Sequence, residues 1–257
     1  MAYKMKQVAL QLYTLRDHCQ NLADFRQTVE KIKGIGYRTV QLSGVGVAYA
    51  EAKKVLDDAG IGICATHESS ELILQNPEEV SRILSQIGVK HTAYPYPGGI
   101  DFGDEKSVTN LVKRLDAAGA VLAKNGQVLS YHNHAIEFVR FGAATVLDYI
   151  YEATDPAHLK AELDTYWVQY GGGDPAAWLE KLAGRSPLLH LKEYTFTKEN
   201  KPVFGEIGQG SLDWPGILAA AEKAGTEWLI VEQDTCPGNP FDSIKISFDY
   251  LHKLLGD

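Results

Sequence analysis

His132 in LSYHNH, Asp164 in LKAELD, His190 in SPLLH and Glu232 in WLIVE each close a short apolar run and lead into polar loop residues. Two imidazoles and two carboxylates are side chains of the kind that hold a divalent cation. If the apolar runs are strands that end on one face, the four groups share one metal-centred site. Alternation along a strand extends the set. It places Lys192 on the side of His190 and His134 on the side of His132, with Glu137 following in the loop. Gln11 and His67 also stand at strand ends, where a polar substrate is within reach, and Trp167 offers an aromatic wall. Each group has a plainer alternative. Asp164 suits a cap for the turn LDTYW, Glu232 suits an ion pair with Lys192, and a lone histidine is often a satisfied core residue.

The elements that must position these groups follow a repeating phrase: amphipathic helix, glycine, short apolar strand. TVEKIKGIGYRTVQLS, AKKVLDDAGIGICATH and ILAAAEKAGTEWLIVEQ are instances. Glycine just past a helix adopts the left-handed conformation that stops it. Strands are expected at 8–12, 39–42, 62–66, 91–94, 128–132, 159–164, 188–191 and 228–232. Helices are expected at 24–33, 48–59, 77–86, 105–125, 143–153, 175–182, 214–224 and 241–255. Eight such units predict an α/β fold, a (β/α)8 TIM barrel, as a single domain over residues 1–257, with the chemistry where the strands end. An open doubly wound sheet follows instead if two of the strands are not strands. The stretch Gly205–Gly210, GEIGQG, lacks the register of a dinucleotide-binding fingerprint and reads as a glycine-rich βα loop.

Composition narrows the function classes. A net charge of -8, with no basic cluster, disfavours nucleic acid as a partner. Cys19, Cys64 and Cys236 are odd in number and widely spaced, which suits a reducing compartment rather than a disulfide framework. The opening MAYKMKQVALQLYTLRD has no apolar signal core, and no run approaches the roughly 20 apolar residues that span a bilayer. A cytoplasmic protein is therefore expected, with no membrane partner. Whether it forms a homo-oligomer is left open.

The motifs YHNHAIEF, DPAHLKAELDTYWVQYGGGDPAAWLEKLAGRSPLLHLKEY and GEIGQGSLDWPGILAAAEKAGTEWLIVEQD, with QLYTLRD and His67, carry a resemblance over essentially the whole chain. The chain resembles the xylose-isomerase-like barrels of the sugar phosphate isomerase/epimerase family, which include ketose 3-epimerases, inosose dehydratases and dehydroshikimate dehydratases. The resemblance implies one divalent ion (manganese, magnesium, cobalt or zinc) held by Glu, Asp, His and Glu from strands five to eight. Asp164, His190 and Glu232 match the last three positions. The first position departs: His132 stands where the family has glutamate, with Glu137 as an alternative carboxylate ligand.

The expected activity is metal-assisted proton transfer next to a carbonyl of a sugar, keto-sugar or cyclitol, giving isomerisation, epimerisation or dehydration. Glu232 on one face and His134 or Glu137 on the other are the expected proton carriers, and Lys192 the stabiliser of oxyanion charge. Two competing readings are an AP-endonuclease-like phosphodiesterase, which needs more ligands and a basic face, and a sugar-binding barrel without catalysis.

Overall fold

The computed structural model describes residues 3–256. Its barrel strands are β1 (Val8–Gln11), β2 (Thr39–Leu42), β3 (Gly62–His67), β4 (His91–Tyr94), β5 (Val128–His132), β6 (Leu159–Asp164), β7 (Leu188–Leu191) and β8 (Trp228–Val231). They close in sequence order, β1 pairing with both β2 and β8, and every barrel pair is parallel. The (β/α)8 expectation holds, and the open-sheet alternative fails because β1 and β8 are hydrogen-bonded. Gly60, Gly88 and Gly225 end their helices with φ of 72, 67 and 77°, the conformation that costs a residue with a Cβ.

Alternation separates two cores. Leu159, Ala161, Leu163, Leu189 and Leu191 point outward and are buried under the helices. Inside the barrel a small apolar layer of Ala9, Cys64, Ala65, Leu188 and Ile230 forms the floor. Above it the interior is polar. Gln41 on β2 donates to Glu162 on β6 at 2.7 Å, and His67 on β3 lies 2.5 Å from the same carboxylate. These contacts cross the barrel, so its upper half is held by hydrogen bonds rather than by aliphatic layers.

One irregularity sets the direction of His67. The β2–β3 register slips between Val40 and Gln41, so that Ile63 and Ala65 face consecutive residues. Cys64 and Ala65 consequently both join the interior layer. Past this bulge the inward positions of β3 are odd-numbered, which turns His67 toward the axis.

The departures from the expected elements lie mostly beyond the strand ends. The helix expected from 143 starts at Val146, because Ala144–Thr145 pairs with Arg140–Phe141 and Thr145 then caps the helix with Asp148. Short helices Ser70–Gln75 and Thr165–Tyr170 and the hairpin Glu193–Phe196/Pro202–Gly205 were not expected. The glycine-rich stretch does lie in a βα connection. Buried Glu193 holds it, accepting from Gly208 N, Leu212 N and the Trp214 indole. No helix among the described residues is long and apolar enough to cross a membrane.

Candidate metal centre

The four strand-end groups meet. One ligand atom from each of His132, Asp164, His190 and Glu232 lies within 4.8 Å of the others, and all four residues are buried. The tight turns after the strands fix them. Asp164 closes β6 and also caps the helix that follows, its Oδ1 accepting from Trp167 N at 3.1 Å. Its own N–H donates to Asn133 Oδ1 at 3.0 Å. The cap therefore uses one oxygen and leaves Oδ2, buried, pointing into the cluster, where its neighbour is the Lys192 ammonium. Capping and ligation are compatible here.

Lys192 holds the carboxylates together. Its ammonium is 3.1 Å from Asp164 Oδ2, 2.8 Å from Glu232 Oε2 and 3.0 Å from Asp234 Oδ1. Burial opposes its charge, but the three carboxylates outweigh burial and keep it protonated. Burial likewise favours neutral Glu232, yet Lys192 and His190 hold its carboxyl well below the usual range. Asp164 is pushed up to about 6 by burial, with Lys192 opposing the shift. His190, despite burial, is raised to about 10 by Glu162 and Glu232. His132 and His134 have less compensation. Burial pushes them down to about 4 and about 2, so both imidazoles are neutral at pH 7.

A second group lies beneath the first and shares its histidines: His67, His132, Glu162 and His190 also bring ligand atoms within 4.8 Å of one another. The two rings bridge the groups through opposite nitrogens. His190 Nδ1 is 2.9 Å from Glu232, while its Nε2 is 2.7 Å from Gln41 and 3.1 Å from Glu162. His132 Nε2 is 3.9 Å from Asp164 Oδ2, while its Nδ1 is 3.4 Å from Glu162. A carboxylate behind a ligand imidazole fixes which nitrogen keeps its proton, and on His190, which carries both protons at neutral pH, an ion displaces the one on the other nitrogen. Glu162 is fully buried, and its histidine neighbours hold its carboxyl well below the usual range against desolvation.

Not every expected site residue joins the cluster. Glu137 lies in neither group. Its carboxylate accepts from the Tyr131 hydroxyl and from His134 N, both at 2.8 Å, which closes the turn Ile136–Phe138. Gln11 sits below the site, donating to Gln41 at 2.9 Å. Trp167 packs behind His134 with ring centroids 5.3 Å apart. His67, His132, His134, Lys192 and Glu232 do line a common cavity of about 390 Å³, together with Arg16, Tyr96 and Asp234. Glu162, Arg16 and Asp234 were not singled out in the sequence. Glu162 had a signal, lying two residues before Asp164 on the same strand. Arg16 and Asp234 are ordinary loop residues with none.

Glu137 provides a pH test of this packing. Burial, opposed by its hydrogen bonds, pushes the carboxyl from 4.5 up to about 7. A raised acid binds its proton more tightly in the folded state. Its contribution is complete below pH 4.5 and is lost as pH rises through about 7. Glutamine can accept from His134 N through its oxygen and donate from its amide nitrogen to the Tyr131 hydroxyl, without titrating. The stability difference between wild type and Glu137→Gln, from urea unfolding, should therefore fall across this window and stay level above it. A difference independent of pH would contradict the assignment.

Comparison with known proteins agrees with this architecture. Inosose dehydratase from Geobacillus kaustophilus is 29% identical over 163 residues, covering 57% of this chain and 52% of that protein. The match thus spans about half the length of that relative. A sugar phosphate isomerase/epimerase structure from Parabacteroides distasonis superposes with a TM-score of 0.81 at 23% identity, covering 97% of this chain and 94% of that one. A xylose isomerase-like TIM barrel from Mycobacterium smegmatis in complex with magnesium superposes at 0.78 with 12% identity, covering 98% of both chains. Residues 29–254 match the xylose isomerase-like TIM barrel family, and the chain belongs to it.

Proposed function

We propose that this chain is a divalent-metal-dependent enzyme that moves a proton next to the carbonyl of a sugar, keto-sugar or cyclitol. The observation that carries the reading is the convergence of His132, Asp164, His190 and Glu232 beside a cavity that fits such a molecule. The donor set fits an ion: Asp164 Oδ2 is buried and faces the cluster with only the Lys192 ammonium beside it, and two imidazoles with two carboxylates suit a first-row divalent ion better than magnesium. When bound, such an ion supplies Lewis acidity toward the substrate carbonyl.

The proton carrier on this reading is Asp234. It lines the cavity, and burial raises its carboxyl against the opposing charge of Lys192. A carboxyl raised above its ordinary value holds an abstracted proton better than an unperturbed one, as a general base needs. Glu232, held low by two cations, serves as a ligand rather than as the carrier, and Glu137 is committed elsewhere. Neutral His134 is suited to hydrogen-bond a substrate oxygen, and Lys192 to sit beside developing negative charge.

With Glu232 assigned to the ion, Asp234 is the one cavity carboxyl left to carry a proton, which favours dehydration over epimerisation. In a syn elimination Asp234 takes the α-proton, then delivers it to the departing β-hydroxyl, which leaves as water. Epimerisation needs a carrier on each face. The inosose dehydratase likeness points the same way. The test incubates the manganese-loaded protein in D2O with a panel of inososes and keto-sugars, neutral and bearing a carboxylate or phosphate, followed by NMR. Wild type should exchange or eliminate, and Asp234→Asn should do so about 100-fold more slowly with unchanged metal content. No exchange or elimination by wild type across the panel would refute the proposal and favour a sugar-binding barrel.

A further inference from the structure

Arg16 stands in the turn after β1 and lines the same cavity. Its Nη1 donates to the carbonyl oxygens of Tyr13 at 3.0 Å and Asp234 at 3.1 Å, and its Cζ lies 4.5 Å from the Tyr13 ring centroid. These contacts fix the guanidinium plane. Among the described residues no carboxylate comes within 4.0 Å of it, and Nε and Nη2 have no protein partner. Those two nitrogens form the side-on fork of an arginine, which matches two oxygens of a carboxylate or phosphate.

A brace to two carbonyls assigns nothing by itself. Arg38 makes the same kind of contact, to Lys33 O and Tyr37 O, away from this cavity. Arg185 spends all three nitrogens on backbone and threonine oxygens, as a structural arginine does. Arg16 differs in its place and in the charge around it. The other cavity cation, Lys192, is matched by three carboxylates. Asp234 is bonded to Arg16 through its backbone oxygen, yet turns its carboxylate to Lys192. The acid best placed to neutralise Arg16 is thus used elsewhere.

We infer that the substrate of this cavity carries an anionic oxygen group, a carboxylate or a phosphate monoester, and that Arg16 is the residue that selects it. The inference rests on the proposed function only in placing the reacting end of the substrate in this cavity. A guanidinium fork gains most from two oxygens that share a negative charge, and the gain over a neutral diol is a charge-assisted pair of hydrogen bonds.

Calorimetric titration of the manganese-loaded protein with D-glucose, D-glucuronate and D-glucose 6-phosphate tests it. At least one anionic probe should bind about 10- to 100-fold more tightly than glucose, and which one does so identifies the group. Arg16→Gln should bring that probe to the affinity of glucose, and Arg16→Lys, which keeps the charge but loses the fork, should fall between. Retained manganese binding in both variants shows that the mouth has folded. Glucose binding as tightly as both anions, a preference that survives Arg16→Gln, or no binding of any probe overturns the inference. Exchange in D2O by the wild type on an uncharged keto-sugar would leave the proposed function standing in each of those cases.

Discussion

Asp164→Ala is expected to weaken manganese binding by more than about 100-fold and to remove detectable turnover, while Glu162→Gln weakens binding by only about 10- to 100-fold. The ordering follows from what each carboxylate touches. Asp164 presents a buried oxygen to the cluster, and losing it removes both a ligand atom and a charge. Glu162 faces the far nitrogens of His132 and His190 and acts through their orientation and tautomer. Glutamine in its place keeps one accepting oxygen but removes the charge that favours an N–H toward it. Equilibrium dialysis against manganese gives both affinities, and circular dichroism confirms the fold. If the ion instead occupies the lower group, the order reverses, and Glu162→Gln becomes the more damaging change. Full activity in metal-stripped Asp164→Ala protein would remove the metal from the mechanism altogether.

Much of this was legible in the chain because a parallel barrel writes each strand as an apolar run that stops at its functional residue. β4, β5, β6 and β7 begin and end where the apolar runs do. Asp164 and His190 each end such a run or stand one residue from its end, so one rule placed both. The rule failed where local patterning carries no trace of a long-range contact. Glu162 looks like a polar interruption inside LKAELD, and only closure of the barrel explains it, by bringing Gln41 from β2 and His67 from β3 to its carboxylate. His67 itself depends on a bulge, and strict alternation cannot show a register slip. Ser70–Gln75 and Thr165–Tyr170 are six residues each, too short to display a helical period. Arg16 and Asp234 lie 218 positions apart and meet because β1 closes on β8.

The polar upper half of the barrel also divides stability from function in an unusual place. An aliphatic interior would need no ion pairs, whereas here Glu162 and Lys192 are ionised and buried, a state that is costly unless fully paired. The protein places its least replaceable charges under the mouth, where they orient the ligand histidines and neutralise the ligand carboxylates. Substitutions in this layer should therefore change metal affinity and folding together, whereas those on the mouth, such as at Arg16, should change recognition first.

Lys192→Met makes that coupling measurable. The methionine chain fits beside the Trp167 and Phe204 rings, which lie 5.6 and 5.4 Å from the ammonium. It leaves Asp164, Glu232 and Asp234 without their shared cation. Breaking a buried pair in this way costs about 3–5 kcal/mol, so the metal-free variant should unfold at clearly lower urea than the metal-free wild type. Manganese should then reverse the order of benefit. In the wild type the ammonium competes with an ion for Asp164 Oδ2 and Glu232 Oε2, whereas in the variant an ion meets no rival. Ligand binding to the folded state alone stabilises by RT ln(1 + [L]/Kd), about 2.7 kcal/mol at a hundredfold excess over Kd. At one fixed manganese concentration the gain in unfolding free energy should therefore be larger for Lys192→Met than for the wild type. Equal gains would mean that lysine and metal do not share those oxygens, and an undiminished metal-free stability would mean that the three carboxylates are not held by Lys192.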